Sequence, residues 1–320
     1  YMYWWVNGLL SEGLTICDAF LAWPDDALPP RDRAWTLATA GLLASWQGQT
    51  NSGADYLNRS LALWDTLPEQ RGAALCHLTL GIMAVYRGEY DDAERTLAAG
   101  LALARQYGDD AFGAMLLDSL SNAAVYRGEP GLALVYSTES IELAERAGDS
   151  GTYAHALINL ADIRYRLDDL SGAMIDANRG LALAREIGDR RPIAHALSLL
   201  GRIAIAHGSF AAAARHSRES LEIARSVGEL MGIVSAIAFF AQAIGATGRT
   251  RPASRLLAAA LAARETLGAP LRLEERNRFD PLIDQWRAAL GDAEFDALWA
   301  AGQALDLDSA ADEALALDLG

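Results

Sequence analysis

The side chains of this sequence that could do chemistry recur at matching positions forty residues apart. His155 and His195 are separated by forty residues, and so are Asp162 and Arg202. Two imidazoles and a carboxylate could hold a metal ion, but the chain has no His-Glu-x-x-His motif and no short Cys/His cluster. A hydrolytic Ser/His/Asp site is not indicated either, because the sequence has no nucleophile-elbow motif. The pattern favours a binding surface over a metal centre or a hydrolytic site.

Composition excludes further classes of function. All 27 basic residues are arginine, so a phosphate-binding loop that ends in Gly-Lys-Ser/Thr is absent and Schiff-base chemistry is excluded. The formal net charge is −15, and an acidic chain is repelled by phosphate backbones, so direct binding of nucleic acid by this segment is not expected. We expect a non-enzymatic chain that carries no cofactor.

The cysteines and the apolar segments indicate a cytoplasmic protein. Cys17 and Cys76 are the only cysteines, and their wide separation predicts reduced core thiols. The first residues are aromatic and show no secretory signal. Residues 230–248 carry no charge and are about long enough to span a bilayer. Because this stretch contains Ser235 and Gln242 and keeps the phase of the repeat described next, it predicts a buried helix and no membrane contact.

A forty-residue period runs through most of the chain. Rows of forty that start at residues 31, 71, 111, 151, 191 and 231 align without a gap. Column eleven is small in every row: Gly41, Gly81, Ser121, Ala161, Gly201 and Ala241. Column eighteen is glycine in every row except one, where it is Asp168. Such regularity predicts a helical-repeat protein.

Each column has a physical reason. Two stretches per row have the apolar spacing of helices. Glycine at columns eighteen and thirty-eight ends each helix in a left-handed turn, and Asp168 tolerates that conformation better than most residues. A small residue at column eleven lets the two helices approach closely. The sequence therefore predicts an all-α, right-handed superhelical solenoid of about seven helix hairpins.

The two ends of the chain depart from the six full rows. Residues 1–30 read as a truncated first repeat, residues 31–270 as six repeats, and residues 271–320 as an acidic helical cap with eight acidic residues and no arginine after residue 290. The cap is predicted to contain helices over 271–290, 292–305 and 309–317, the last with Ser309 and Asp312 as a capping box. Tyr1 falls in the middle of a predicted helix, so we expect this chain to be a fragment of a longer protein.

The row LGIMAVYRGEYDDAERTLAAGLALA, residues 80–104, resembles tetratricopeptide repeats in its small residue, its Gly-Glu-Tyr turn and its later alanine and glycine. The end segments YWWVNGLLSEG and LGDAEFDALWAAGQALDLDSAADEAL resemble the repeat domain of large bacterial signal-transduction ATPases, often with a LuxR-type DNA-binding domain. The resemblance implies a sensor and assembly arm of a transcriptional regulator. A free-standing adaptor that binds a peptide or partner protein is the alternative.

In tetratricopeptide arrays the first helix of each hairpin lines the concave groove, which implies exposure at columns five, eight, twelve, fifteen and sixteen. The early rows place apolar and aromatic side chains there: Trp35, Leu42, Trp46, Leu75, Leu78, Ile82, Val85 and Tyr86. The predicted groove residues are Tyr86, Asp118, Asn122, Tyr126, His155, Asp162, Tyr165, Arg166, His195 and Arg202.

Such a groove would bind a protein, a peptide or a small effector, and self-association is a further use of the surface. Arg166 is the leading candidate because it replaces the aromatic residue of earlier rows and a guanidinium grips carboxylate or phosphate through two bonds. The alternative is an ordinary i,i+4 ion pair between Asp162 and Arg166 on a solvated face.

The absence of lysine and of a glycine-rich phosphate loop gives the first prediction. The chain should neither bind nor hydrolyse ATP, because it has neither the lysine nor the glycine-rich loop that usually binds the phosphates of a nucleotide. Isothermal titration with MgATP should show no heat of binding, and a micromolar dissociation constant would contradict the prediction.

Overall fold

The computed structural model describes residues 3–4, 9–24, 27–267, 269, 271 and 273–319, without the side chains of 273 and 274. Over this part of the chain the regular structure is sixteen α-helices and no strand, so the expected all-α class is confirmed. The helices are α1 Leu10–Leu21, α2 Pro30–Trp46, α3 Thr50–Trp64, α4 Ala73–Arg87, α5 Tyr90–Gln106, α6 Asp110–Arg127, α7 Pro130–Ala147, α8 Ser150–Arg166, α9 Leu170–Ile187, α10 Arg190–Ala206, α11 Phe210–Val227, α12 Leu230–Ala246, α13 Thr250–Thr266, α14 Leu273–Leu290, α15 Asp292–Gln303 and α16 Leu307–Ala316.

Two compact units divide the chain, Tyr1–Leu167 and Asp168–Gly320. In the first, α1 packs on α2, and the hairpins α2/α3, α4/α5 and α6/α7 stack in order before α8. In the second, α9 packs on α10, followed by the hairpins α10/α11 and α12/α13 and by the three last helices. The division into a partial row, six repeats and a cap remains a prediction. Three positions used in that division lie outside the described residues: Tyr1, the column-thirty-eight glycine Gly268, and Pro270, where the sixth row ends.

Left-handed residues separate the helices where the sequence predicts them. Gly88 and Gly128 follow α4 and α6 with φ of 78° and 85°, values that glycine adopts without steric cost. Asp168 has φ of 63° and is the one non-glycine residue with positive φ among those described. The glycine column and its single exception therefore set the turn of each hairpin.

The two helices of a hairpin meet where column eleven faces column twenty-seven. A Cβ atom added to Gly81 would lie 2.4 Å from Cγ of Leu97. Where the row has a larger column-eleven residue, Ser121, the opposite position is Ser137, and the two hydroxyl oxygens are 2.7 Å apart. In these two rows the side chains at the crossing are complementary in size.

Buried serines on the second helix add a hydrogen bond to the same hairpins. Their hydroxyl groups donate to a main-chain carbonyl of the first helix: Ser60 to Ala34 at 2.7 Å, Ser140 to Ala114 at 3.0 Å and Ser220 to Ala194 at 2.9 Å. Each links residues 26 positions apart, so these bonds hold the two helices of a hairpin in one register.

Exposed ion pairs join successive rows. Arg105 pairs with Glu139, and the Nε atom of Arg146 is 3.0 Å from a carboxylate oxygen of Asp110. These partners lie 34 and 36 residues apart, close to the length of one row. Exposed pairs contribute little stability each, so they help to select the register of neighbouring rows more than they hold the rows together.

The last three helices pack on α12 and α13 through large aromatic side chains. Trp286 and Phe295 are among the largest fully buried side chains, and a Cβ on Gly245 would meet the Trp286 ring at 2.2 Å. Arginines of the repeat rows pair with acidic residues of these helices: Arg251 with Glu294, Arg255 with Glu313, and Arg225 with Asp308 and Asp312. Acidic residues at the end of the sequence therefore neutralise these three arginines of the repeat rows.

The predicted capping box of the last helix is wrong. The helix α16 begins at Leu307, and its cap is Asp306, whose carboxylate accepts a 2.7 Å hydrogen bond from the Ser309 amide. The same bond lowers the pKa of Asp306. An aspartate in the cap position satisfies an otherwise unpaired amide, so the helix starts two residues before the expected serine.

Cys17 and Cys76 are free and buried, and burial raises the pKa of both thiols to about 11. The uncharged segment from residue 230 forms α12, ten of whose residues are buried against neighbouring helices. In the described part of the chain no helix is both long enough and apolar enough to cross a bilayer.

The crossing between columns eleven and twenty-seven predicts a coupled pair of substitutions. Gly81→Ala should lower the free energy of unfolding by about 1–3 kcal/mol, because its methyl group overlaps Leu97. Leu97→Ala should cost about 2–5 kcal/mol through the cavity that it leaves. The double variant should cost less than the sum by about 1 kcal/mol or more, since each change makes room for the other.

Urea unfolding of the four proteins measures this coupling. Gly131→Ala is the control, because a Cβ there meets nothing within 4 Å and the substitution should be neutral or slightly stabilising. Strictly additive effects at Gly81 and Leu97 would contradict the size-matching account.

Candidate ligand-binding surface

The helices α6 and α8 are the first helices of two successive rows and lie against each other in the Tyr1–Leu167 unit. Seven of the ten predicted groove residues lie on these two helices, three on α6 and four on α8. The shared surface, called here the α6–α8 surface, is formed by Asp118, Asn122, Tyr126, His155, Asn159, Asp162 and Arg166. It combines carboxylate, amide, imidazole, phenol and guanidinium groups.

Asp118 is buried, with 5% of its surface exposed, so the prediction that column eight is exposed is wrong. The same column holds Ala38, Leu78, Ile158 and Ala238, which are all buried. Column eight lies one turn before column twelve on the side of the first helix that meets the neighbouring row, so its side chains take part in packing.

The carboxylate of Asp118 is incompletely satisfied. Its Oδ2 atom is 3.6 Å from Nδ1 of His155, beyond normal hydrogen-bond distance. Its Oδ1 atom is shielded from solvent and has no hydrogen-bond partner among the described residues. Burying a carboxylate oxygen without a partner costs free energy, so Asp118 stands out from the apolar residues of its column.

His155 covers this carboxylate from the solvent side. The imidazole is exposed, and its Nδ1 atom lies 3.1 Å from the side-chain nitrogen of Asn159, a buried residue one turn further along α8. Asn159 is not among the predicted groove residues, because it occupies column nine and the prediction covered column eight but not column nine. Its place four residues after His155 on the same helix was the available signal.

Arg166 is held within the surface. Its Nε atom donates to Asp162 at 2.8 Å, and its guanidinium carbon lies 5.8 Å from the centre of the Tyr126 ring. The side chains of Arg166 and Asp162 are only 19% and 15% exposed. This geometry is the i,i+4 ion pair considered as the alternative, with a cation–π contact added. The role of Arg166 in ligand binding remains a prediction.

Apolar side chains extend the surface toward the earlier rows. Tyr86 is 80% exposed on α4, and Trp46 and Met115 are exposed to a smaller degree. Of the other apolar residues expected to be exposed here, Trp35 and Ile82 are half-buried. The remaining four are buried: Leu42, Leu75, Leu78 and Val85. The expected apolar end of the groove is therefore narrower than the sequence suggests, because these side chains fill the contacts between successive first helices.

Two of the predicted residues belong to the other unit. His195 is exposed on α10. Arg202 is half-buried on the same helix, with its guanidinium carbon 5.9 Å from the centre of the Phe239 ring. No group of three or more His, Cys, Asp or Glu side chains that could hold a metal ion occurs among the described residues.

These stacked helix hairpins define the tetratricopeptide-like class of helical-repeat proteins, and the solved structures that resemble the chain belong to that class. A Rap protein complexed with Competence and Sporulation Factor has a TM-score of 0.64 and 13% identity, over 85% of this chain and 72% of that one. Aspartyl phosphate phosphatase F from Bacillus subtilis has a TM-score of 0.60 and 8% identity, over 87% and 73%.

A third similar structure is a signal-transduction ATPase with numerous domains and a tetratricopeptide repeat sensor, PH0952 from Pyrococcus horikoshii. Its TM-score is 0.55 and its identity 14%, over 85% of this chain and 46% of that one. No protein-family model and no curated protein matches the sequence. At such low identity the likeness establishes the fold, and the expected tetratricopeptide-like solenoid class is confirmed.

Asp118 and Asp162 of the α6–α8 surface differ in their hydrogen bonds, so replacing each with asparagine should change the stability in opposite directions. Asp118→Asn should raise the free energy of unfolding by about 1 kcal/mol, because a neutral amide is less costly to bury than an unpartnered carboxylate. Asp162→Asn should lower it by about 1–2 kcal/mol, because it weakens the charge-assisted bond from Arg166. Urea unfolding of both variants tests this pair. Equal losses of stability would show that Asp118 is an ordinary structural residue.

Proposed function

We propose that this chain binds a protein or peptide partner through the α6–α8 surface and the exposed aromatic residues beside it. The observation that carries the proposal is the buried, unpartnered Oδ1 of Asp118. A polar group kept at a cost to stability is typical of a functional site. An apolar residue would suit the fold better at this position, as in most other rows.

The chemistry of the surface supports recognition of a partner that donates hydrogen bonds. Asp118 offers an acceptor beneath the exposed ring of His155, and a partner that moves this ring aside gains access to Oδ1. Tyr86 and Met115 offer apolar contact area in the same unit. A few polar groups beside apolar walls are what peptide and ligand sites generally need.

The wider role that we infer is that of a sensor and assembly arm in a bacterial regulator, acting by binding and not by catalysis. The likeness to a signal-transduction ATPase with a tetratricopeptide sensor and to a Rap protein in complex with a signalling factor supports this inference. A nucleotide-binding domain and any DNA-binding domain would lie outside the present sequence, in which neither motif occurs.

Site-specific photocross-linking locates the partner surface. A benzoylphenylalanine residue at Tyr86 or Met115 should cross-link to the partner, since both side chains are exposed beside the α6–α8 surface. The same residue at Val135 on the second helix α7 is the control and should give no product, although its exposure lies between those of Tyr86 and Met115. Cross-linking only from Val135 would place the partner on the opposite helices and overturn the proposal.

With the cross-linked partner identified, alanine variants test the individual residues. Arg166→Ala should weaken binding by about tenfold, the value of one charge-assisted hydrogen bond. Arg59→Ala is the matched control, because Arg59 forms the same i,i+4 pair with Asp55 on α3, away from this surface. If the Arg166→Ala variant folds and binds as tightly as the parent, Arg166 does not contact the partner.

A further inference from the structure

A cavity of about 510 Å³ lies in the Asp168–Gly320 unit, whereas the α6–α8 surface belongs to the Tyr1–Leu167 unit. It opens between α11 and the end of α12, and the tail residue Leu319 closes one side. Phe210, Ala214 and Ile244 form apolar walls. Its volume is within the range of about 300–1,000 Å³ that is usual for small-molecule sites.

Three arginines line this cavity, Arg215, Arg218 and Arg249. Other arginines near the end of the chain are paired with carboxylates, as Arg225 is with Asp312 and Arg255 with Glu313. In the described structure Arg215, Arg218 and Arg249 have no carboxylate within ion-pair distance. The cavity is therefore a place of uncompensated positive charge in a chain whose net charge is −15.

The hydrogen bonds of the three arginines leave donors available. Arg218 and Arg249 donate to the main-chain carbonyls of Leu317 and Asp318 in the tail, which are neutral acceptors. Nε of Arg218 is buried with no hydrogen-bond partner. Arg215 is exposed and forms no hydrogen bond or ion pair in the described structure. An anion is a stronger acceptor for a guanidinium than a carbonyl oxygen is.

The two glutamates of the lining do not cancel this charge. Glu219 forms an ion pair with Arg185 of α9. Glu222 is exposed, where solvent screens its charge. With Arg185 included, the lining and its partner carry four cations and two anions, so the cavity stays positive.

We propose that this cavity binds a small organic anion, whose acidic group meets the three guanidinium groups and whose apolar part lies against Phe210 and Ile244. The proposal concerns an effector site separate from the partner surface of the first unit. Because the tail carbonyls share the same guanidinium donors, an anion in the cavity competes with the tail segment 317–319 for them.

Octanoate and its neutral counterpart octanamide are the probes, and amide chemical shifts of the ¹⁵N-labelled full chain are the readout. Octanoate should shift resonances of α11 and of residues 243–249, and octanamide should bind at least about tenfold more weakly, because it lacks the charge. Arg215→Gln should weaken octanoate binding by about tenfold. Arg95→Gln is the matched control, since residue 95 occupies the same column of its row, and it should bind as the parent does.

Equal affinity for octanoate and octanamide would overturn the proposal, and so would an Arg215→Gln variant that binds as tightly as the parent. Arg218→Gln is a second variant that should also weaken octanoate binding. The amide chemical shifts of residues 317–319 in this variant show whether the tail stays in place. Octanoate shifts spread over the whole chain would indicate non-specific apolar binding and also overturn it. Because cross-linking from Tyr86 does not involve this cavity, the two proposals can fail independently.

Discussion

The close crossing of the two helices in each hairpin is the constraint on which the other features depend. At Gly81 there is no room for even one methyl group. In the row where the first helix has Ser121, the opposite residue of the second helix is also a serine, Ser137. Interiors pack as densely as organic crystals, so a mismatch of one methylene would push the helices apart. A displaced hairpin would carry the next row with it, because each row in such an array packs on its neighbours.

This fixed crossing also explains the position of the candidate binding residues. Once the first helices of successive rows stand in register, residues about one row apart become neighbours in space, as Asp118 and His155 do. Residues that point toward the next row are enclosed, and Asp118 is enclosed among them. The binding surface is thus a by-product of regular stacking, changed at a few positions where a polar group replaces the usual apolar one.

The helices and the turns between them could be predicted from the sequence, and the packing between rows and between distant segments could not. Glycine columns and apolar spacing are local signals, so the helices, the turns and even the left-handed Asp168 follow from them. Burial at column eight depends on the angle between neighbouring rows, which no single row encodes. The cavity depends on contacts such as the one between Arg218 and Leu317, which are 99 residues apart. Because Leu317 lies outside the repeats, the forty-residue period cannot predict such a contact.

Arginine is the only cation in all of the ion pairs described above, and this limits how the chain can be regulated. Acetylation, methylation of amines and ubiquitin-type tagging act on lysine side chains, and this sequence offers none. A guanidinium also stays protonated at every physiological pH. The positive partner in each pair is therefore constant, and only its acidic partner can be neutralised by protonation.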